Sequence, residues 1–207
     1  MARFKNGPWG GLFGAIGPVE AYMLNGQLIL RSKRSKSAKL PSEKQLACRL
    51  KLKMISEVLG TMTDFLRIGF APASSGADIN AYNAAVASNI QHAISGTYQD
   101  YQVSYANLQV ARGSISNTEV SATVNREGSQ LIYSWTDEHS HPRSTDHAML
   151  LAYCPEIRQA AFNLCGNKRK VGHSILTLPE YWAGQQLHCY LAFREASGSN
   201  SSNSMYV

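Results

Sequence analysis

The sequence predicts an α+β protein in which a helical segment precedes an antiparallel β-sandwich, and three observations predict it. Apolar residues recur at three- and four-residue spacing from Leu46 to Leu66. After Tyr98 the period shortens to two. From there to Val207, short apolar strands alternate with Gly, Asn, Ser and Pro clusters at the regular spacing of a sandwich. The layout that results is an extended glycine-rich arm, hairpin and basic linker over 1–40, a two-helix segment over 41–100, and the sandwich over 101–207.

In chain order, glycines at 7, 10, 11, 14 and 17 with Pro8 and Pro18 deny the first residues a stable helix. Phe4, Trp9, Leu12, Phe13 and Ile16 are nevertheless large apolar groups that such an arm cannot cover by itself, which makes them the candidate self-association residues. The run from Tyr22 to Leu30 predicts a hairpin turning at Asn25-Gly26. Ser42 with Gln45 three residues on is a helix-start signature. The stripe Leu46, Leu50, Met54, Ile55, Val58, Leu59, Met62, Phe65 and Leu66 then runs until Gly69 and Pro72 end it. A second, alanine-rich helix is predicted over about 80–94.

Strands are predicted at Val120–Val124, Leu131–Trp135, Ala148–Tyr153, around Ala160–Phe162, at Ile175–Leu178, Leu187–Phe193 and Met205–Val207. Leu187, Cys189, Leu191 and Phe193 share one face and are expected in the core with Trp135 and Leu150. On that patterning 101–207 is expected to fold alone. Cys48, Cys154, Cys165 and Cys189 lack metal-ligand spacing and are expected as four buried thiols in a reducing compartment.

Charge is the strongest pointer to a partner. Arg31, Lys33, Arg34, Lys36, Lys39, Lys44, Arg49, Lys51 and Lys53 are nine of the twenty cationic residues, with Glu43 the one acid among them. Nine against one gives the segment +8 and leaves −2 for the rest of a chain whose net charge is +6. Such a patch suits a polyanion or an acidic protein face. On the helix, Arg49, Lys51 and Lys53 fall off the apolar stripe. Base-stacking aromatics are missing from the run, so nucleic acid would be held by its phosphate backbone.

The closing segment from His188-Cys-Tyr190 to Asn203-Ser resembles the last strands of a fibronectin type III or immunoglobulin-like domain, and Tyr133-Ser-Trp135-Thr is similar to an early core strand of one. Nearly the whole chain also resembles a family of uncharacterised proteins of similar length from Bacteroidota bacteria and their mobile elements. The matching pieces include Lys5-Asn-Gly7, Pro41-Ser-Glu-Lys-Gln45, Ile68-Gly-Phe70, Ala93-Ile-Ser-Gly96-Thr-Tyr98, Trp135-Thr-Asp137, Thr145-Asp146-His-Ala-Met149, Leu176-Thr-Leu-Pro179 and Ser202-Asn-Ser-Met-Tyr206-Val. The resemblance implies an immunoglobulin-like sandwich and carries no activity with it.

Asp137, His139, His141, Asp146 and His147 are the one cluster of potential metal ligands, and a weak one: they lie in a loop beside Pro142 and Arg143, and the resemblance covers the two aspartates but not the histidines. The glycine arm lacks the Lys-Ser/Thr of a phosphate loop, no nucleophile elbow is present, and the isolated His92, His173 and His188 read as structural. These readings predict no enzyme, no cofactor and no small-molecule substrate. They predict a structural protein that self-assembles through its arm as a subunit of a particle, filament or virion, the alternative being a protein that binds nucleic-acid backbone through Arg31–Lys53. No apolar run reaches bilayer length, and Pro and Gly interrupt the signal-like start, so a cytoplasmic or particle-borne protein is expected.

Overall fold

The computed structural model describes residues 3–5, 11–24, 27–35, 40–75, 79–117, 120–137, 144–198 and 200–207. It divides into two compact units, Met1–Ser42 and Glu43–Val207. Among the described residues no helix is long and apolar enough to cross a membrane.

The first unit is a sheet rather than an extended arm. β1 (Arg3–Lys5), β2 (Gly11–Ile16), β3 (Val19–Leu24) and β4 (Gln27–Ser32) form an antiparallel meander in sequence order. The hairpin expected from Tyr22 to Leu30 is present, its pairing running up to Leu24↔Gln27, while the Asn25-Gly26 turn lies outside the described residues. Gly17 supplies the positive φ, +53°, that turns β2 into β3. Cross-strand partners share a face, and the pairs Ile16↔Val19, Ala21↔Leu30 and Met23↔Leu28 place Ile16, Val19, Ala21, Met23, Leu28 and Leu30 together. Only Ala21 of these is buried; the other five are 38–61% exposed. The opposite face carries the Arg31–Glu20 ion pair at 2.9 Å, with the Arg31 guanidinium 5.0 Å from the centre of the Tyr22 ring.

The second unit holds α1 (Glu43–Leu59), α2 (Thr63–Gly69), α3 (Ala71–Ser74) and α4 (Ala81–His92), with a 3-10 stretch at Gly60–Met62 interrupting the long predicted helix. Asn80 caps α4, its side chain accepting from the Asn83 amide at 2.8 Å. A short ladder of β5 (Ile94–Ser95) and β6 (Gln102–Val103) follows. The seven later strands stand where the alternation predicts: β7 (Val120–Glu127), β8 (Gln130–Asp137), β9 (His147–Cys154), β10 (Gln159–Asn163), β11 (His173–Thr177), β12 (His188–Arg194) and β13 (Met205–Tyr206). They form a four-stranded sheet, β10-β9-β12-β13, and a three-stranded one, β11-β8-β7.

Three layers result, because the four-stranded sheet is apolar on both faces. Leu150, Ala152, Cys189, Leu191 and Phe193 point to the smaller sheet and meet Leu131, Tyr133 and Trp135. Met149, Leu151, Tyr153, Tyr190 and Ala192 point the other way and join Ile55, Leu59, Phe65 and Phe70 of the helical layer. Every residue of β9 after His147 is buried. The helices and strands therefore share one unit, and the single core face expected of β12 is in fact two. Trp135 donates from Nε1 to the Arg169 carbonyl at 2.7 Å, and the Tyr133 hydroxyl donates to the Leu151 carbonyl at 2.8 Å. Burial pushes the Tyr133 phenol far up, so it stays a donor.

The Ser/Asn-rich segment 200–204 acts as a polar stitch. Ser201 and Ser202 are fully buried. The Ser201 hydroxyl donates to the Gly69 carbonyl at the end of α2, the Val110 amide donates to the Ser204 hydroxyl, and the Phe193 amide donates to the Ser202 hydroxyl. Two of the four cysteines depart from the expectation of burial: Cys154 and Cys189 are buried, but Cys48 and Cys165 are exposed, since Cys48 lies in the first turns of α1, ahead of the core, and Cys165 in the loop after β10.

Candidate functional site

A cleft of about 400 Å³ opens where three distant segments converge. Met54, Glu57 and Val58 come from α1, Tyr101 to Val103 and Tyr105 from the β6 region, Tyr153 from the end of β9, and Pro155 and Arg158 from the turn between β9 and β10. Tyr105 is held by stacking on His188, with ring centres 4.1 Å apart, and by the Tyr190 hydroxyl, which donates to its backbone carbonyl at 2.7 Å. The Tyr105 and Tyr153 rings lie 5.7 Å apart. Lys51 Nζ sits 4.7 Å from the centre of the Tyr101 ring, within cation–π range.

Burial keeps the Tyr105 and Tyr153 phenols neutral. Burial raises the Tyr105 pKa and pushes Tyr153 up to about 12, with the Arg158 charge opposing both shifts, so the guanidinium field reaches both phenols. At neutral pH the cleft thus offers ring faces, phenol donors, one carboxylate, one amide and one guanidinium, a set suited to recognition. Arg158 closes the four-residue turn at φ +54°, and Gln99, two residues before Tyr101, has φ +84°. Left-handed backbone costs a non-glycine residue about 1–3 kcal/mol and gathers at functional positions.

The predicted basic residues divide between the two units. Arg31 lies on β4 in its ion pair, and Lys33 and Arg34 follow it exposed, whereas Lys36 and Lys39 lie outside the described residues. On α1, Lys44, Arg49 and Lys53 are exposed, and Lys53 reaches Glu57 at 4.0 Å. Lys51 departs from the expectation: it is one turn before Ile55, on the core side of the helix, and is half-buried against Tyr101. Of the predicted self-association residues, Phe4 and Leu12 pair across β1 and β2, Phe13 is half-buried, Ile16 is exposed and Trp9 lies outside the described residues.

Of the histidine–aspartate cluster, Asp137 ends β8, His139 and His141 lie outside the described residues, Asp146 is buried and His147 opens β9. His147 Nδ1 is 3.1 Å from the Gly166 carbonyl and 3.6 Å from Cys165 Sγ. Among the described residues no three His, Cys, Asp or Glu side chains are grouped to hold a metal ion. The tyrosine cleft was missed by sequence reasoning; the available signal was the Tyr98, Tyr101, Tyr105 spacing, which reads equally as a strand.

The model of a family of unknown function, DUF6266, matches residues 11–207. The chain belongs to that family. This DUF6266 chain has no match among curated proteins and none among solved structures.

Proposed function

We propose that the protein is a non-enzymatic structural subunit that self-associates through its N-terminal sheet. The observation that carries this is the apolar face of Ile16, Val19, Met23, Leu28 and Leu30, exposed around one buried alanine. An exposed apolar face of this kind needs a cover, and a second copy supplies an identical face in an isologous pair. The strand order supports reading the sandwich as immunoglobulin-like: the first, second and fifth of its strands form one sheet, and the third, sixth and seventh lie in the other. The fourth joins the third, as in the fibronectin type III variant.

Size-exclusion chromatography with light scattering tests the reading. Full-length protein is expected to be oligomeric, and Met23→Glu with Leu30→Glu monomeric with its fold intact. A wild type that stays monomeric at high concentration overturns it.

A second reading, polyanion binding through Arg31–Lys53, is favoured by the exposure of Lys33, Arg34, Lys44 and Arg49. Replacing Arg31, Lys33, Arg34, Lys36 and Lys39 with Ser then weakens DNA and RNA binding equally for any sequence. On duplex DNA it also flattens the salt dependence by roughly 0.9 for each phosphate that is no longer neutralised. Unchanged binding in that variant removes this reading.

A further inference from the structure

We propose that the tyrosine cleft is a base-stacking site for a single-stranded polynucleotide, with a base on the Tyr101 ring and its phosphates on Lys51 and Arg158. This concerns a different surface from the self-association reading and deepens the polyanion one, since it supplies the aromatic component that the basic sequence run lacks. Single-strand binding needs flat aromatic faces beside cations, because every base has a π-face and every linkage a negative charge. The fold provides both: Tyr101 and Tyr105 line the cleft and Tyr153 forms its buried floor. Lys51 stands over Tyr101, and Arg158 projects its field onto the other two rings.

Charge decides between ligand classes. Glu57 and Arg158 line the cleft, Lys53 reaches Glu57 at 4.0 Å and Lys51 stands at the Tyr101 ring, so three cations surround one carboxylate. An anionic ligand with planar groups fits this set better than a proline-rich peptide, which would want the aromatic wall without the cations. The volume, about 400 Å³, has room for one nucleoside. Arg158 at φ +54° keeps its guanidinium at the cleft in a backbone conformation that glycine adopts more readily.

Fluorescence anisotropy on the full chain tests the proposal, comparing a labelled oligothymidylate with an abasic strand of equal length and charge. The wild type is expected to prefer the oligothymidylate by roughly 5- to 150-fold, the contribution of one stacked base. Tyr101→Ala should abolish that preference, and Tyr101→Phe should keep it. Arg158→Gly should weaken both strands while holding or raising the melting temperature, which separates loss of the charge from loss of the fold. Equal binding of the two strands by the wild type overturns the cleft and leaves the basic segment's backbone binding standing. Failure to bind either strand, a preference that survives Tyr101→Ala, or displacement of the oligonucleotide by a proline-rich peptide overturns it as well.

Discussion

Removing the helical layer should unfold the sandwich, against the expectation drawn from strand alternation alone. In a fragment spanning 101–207, the face of the four-stranded sheet that meets the helices becomes accessible to water. Met149, Leu151, Tyr153 and Tyr190 are each at most 2% exposed in the intact chain. At about 1.5–3 kcal/mol for each large side chain, uncovering four of them forfeits roughly 6–12 kcal/mol. The whole stability of a domain is only about 5–15 kcal/mol. The fragment also loses the Gly69 carbonyl that accepts from the buried Ser201 hydroxyl, leaving one end of the polar stitch without its partner. Urea titrations followed by circular dichroism, with light scattering, should find 43–207 monomeric and cooperatively folded, and 101–207 aggregated or without a transition. A monomeric 101–207 fragment that unfolds cooperatively within about 2 kcal/mol of 43–207 would refute the shared-core argument.

Trp135→Ala should cost about 3–5 kcal/mol in denaturant titration, since Trp135 is 4% exposed and packs edge-on to Phe193 with ring centres 5.5 Å apart; a loss below about 1 kcal/mol would mean that β8 does not bury this ring. Gly113→Ala should lower the melting temperature sharply, because an added Cβ would clash with the backbone oxygen of Ser201, where nothing flexible can give way. Burial lowers the His188 pKa below its ordinary 6.5, so the unfolded chain takes up this proton before the folded one does. The stability from neutral His188 is therefore complete above pH 6.5 and is lost as pH falls through the depressed folded value; His188→Gln should flatten that stretch of the stability profile. Asn80→Ala should destabilise α4 by about 1 kcal/mol, measured by thermal melting, through loss of the Asn83 amide's partner.

Periodicity made the secondary structure legible, and it could not show what each face meets. The seven later strands follow from alternation and turn residues, and α4 from Asn80 and its alanines. The double burial of the middle sheet did leave a mark: Ala148–Cys154 is an unbroken apolar run, which belongs to a strand covered on both sides. Lys51 was misplaced because its charge outweighed its position in the helical repeat, although its long stem lets a lysine lie along a partly covered surface. The tyrosine cleft draws on residues some hundred positions apart, Met54 to Arg158, and no local pattern announces a juxtaposition made by tertiary packing. The N-terminal sheet was half legible, since the hairpin had its turn signal while the glycine-rich strand before it had none.

The middle sheet's two apolar faces also fix the hazard during synthesis. The helices precede the strands they cover, so α4 is complete 62 residues before Cys154 closes β9 and 102 before Arg194 closes β12. At translation rates of about 5–20 residues per second, the stripe of Ile55, Leu59, Phe65 and Phe70 waits roughly 5–20 s for its sheet to be finished. The sticky intermediate on the ribosome is therefore the helical hairpin, and the strands, emerging next to a ready-made apolar platform, are the better protected part.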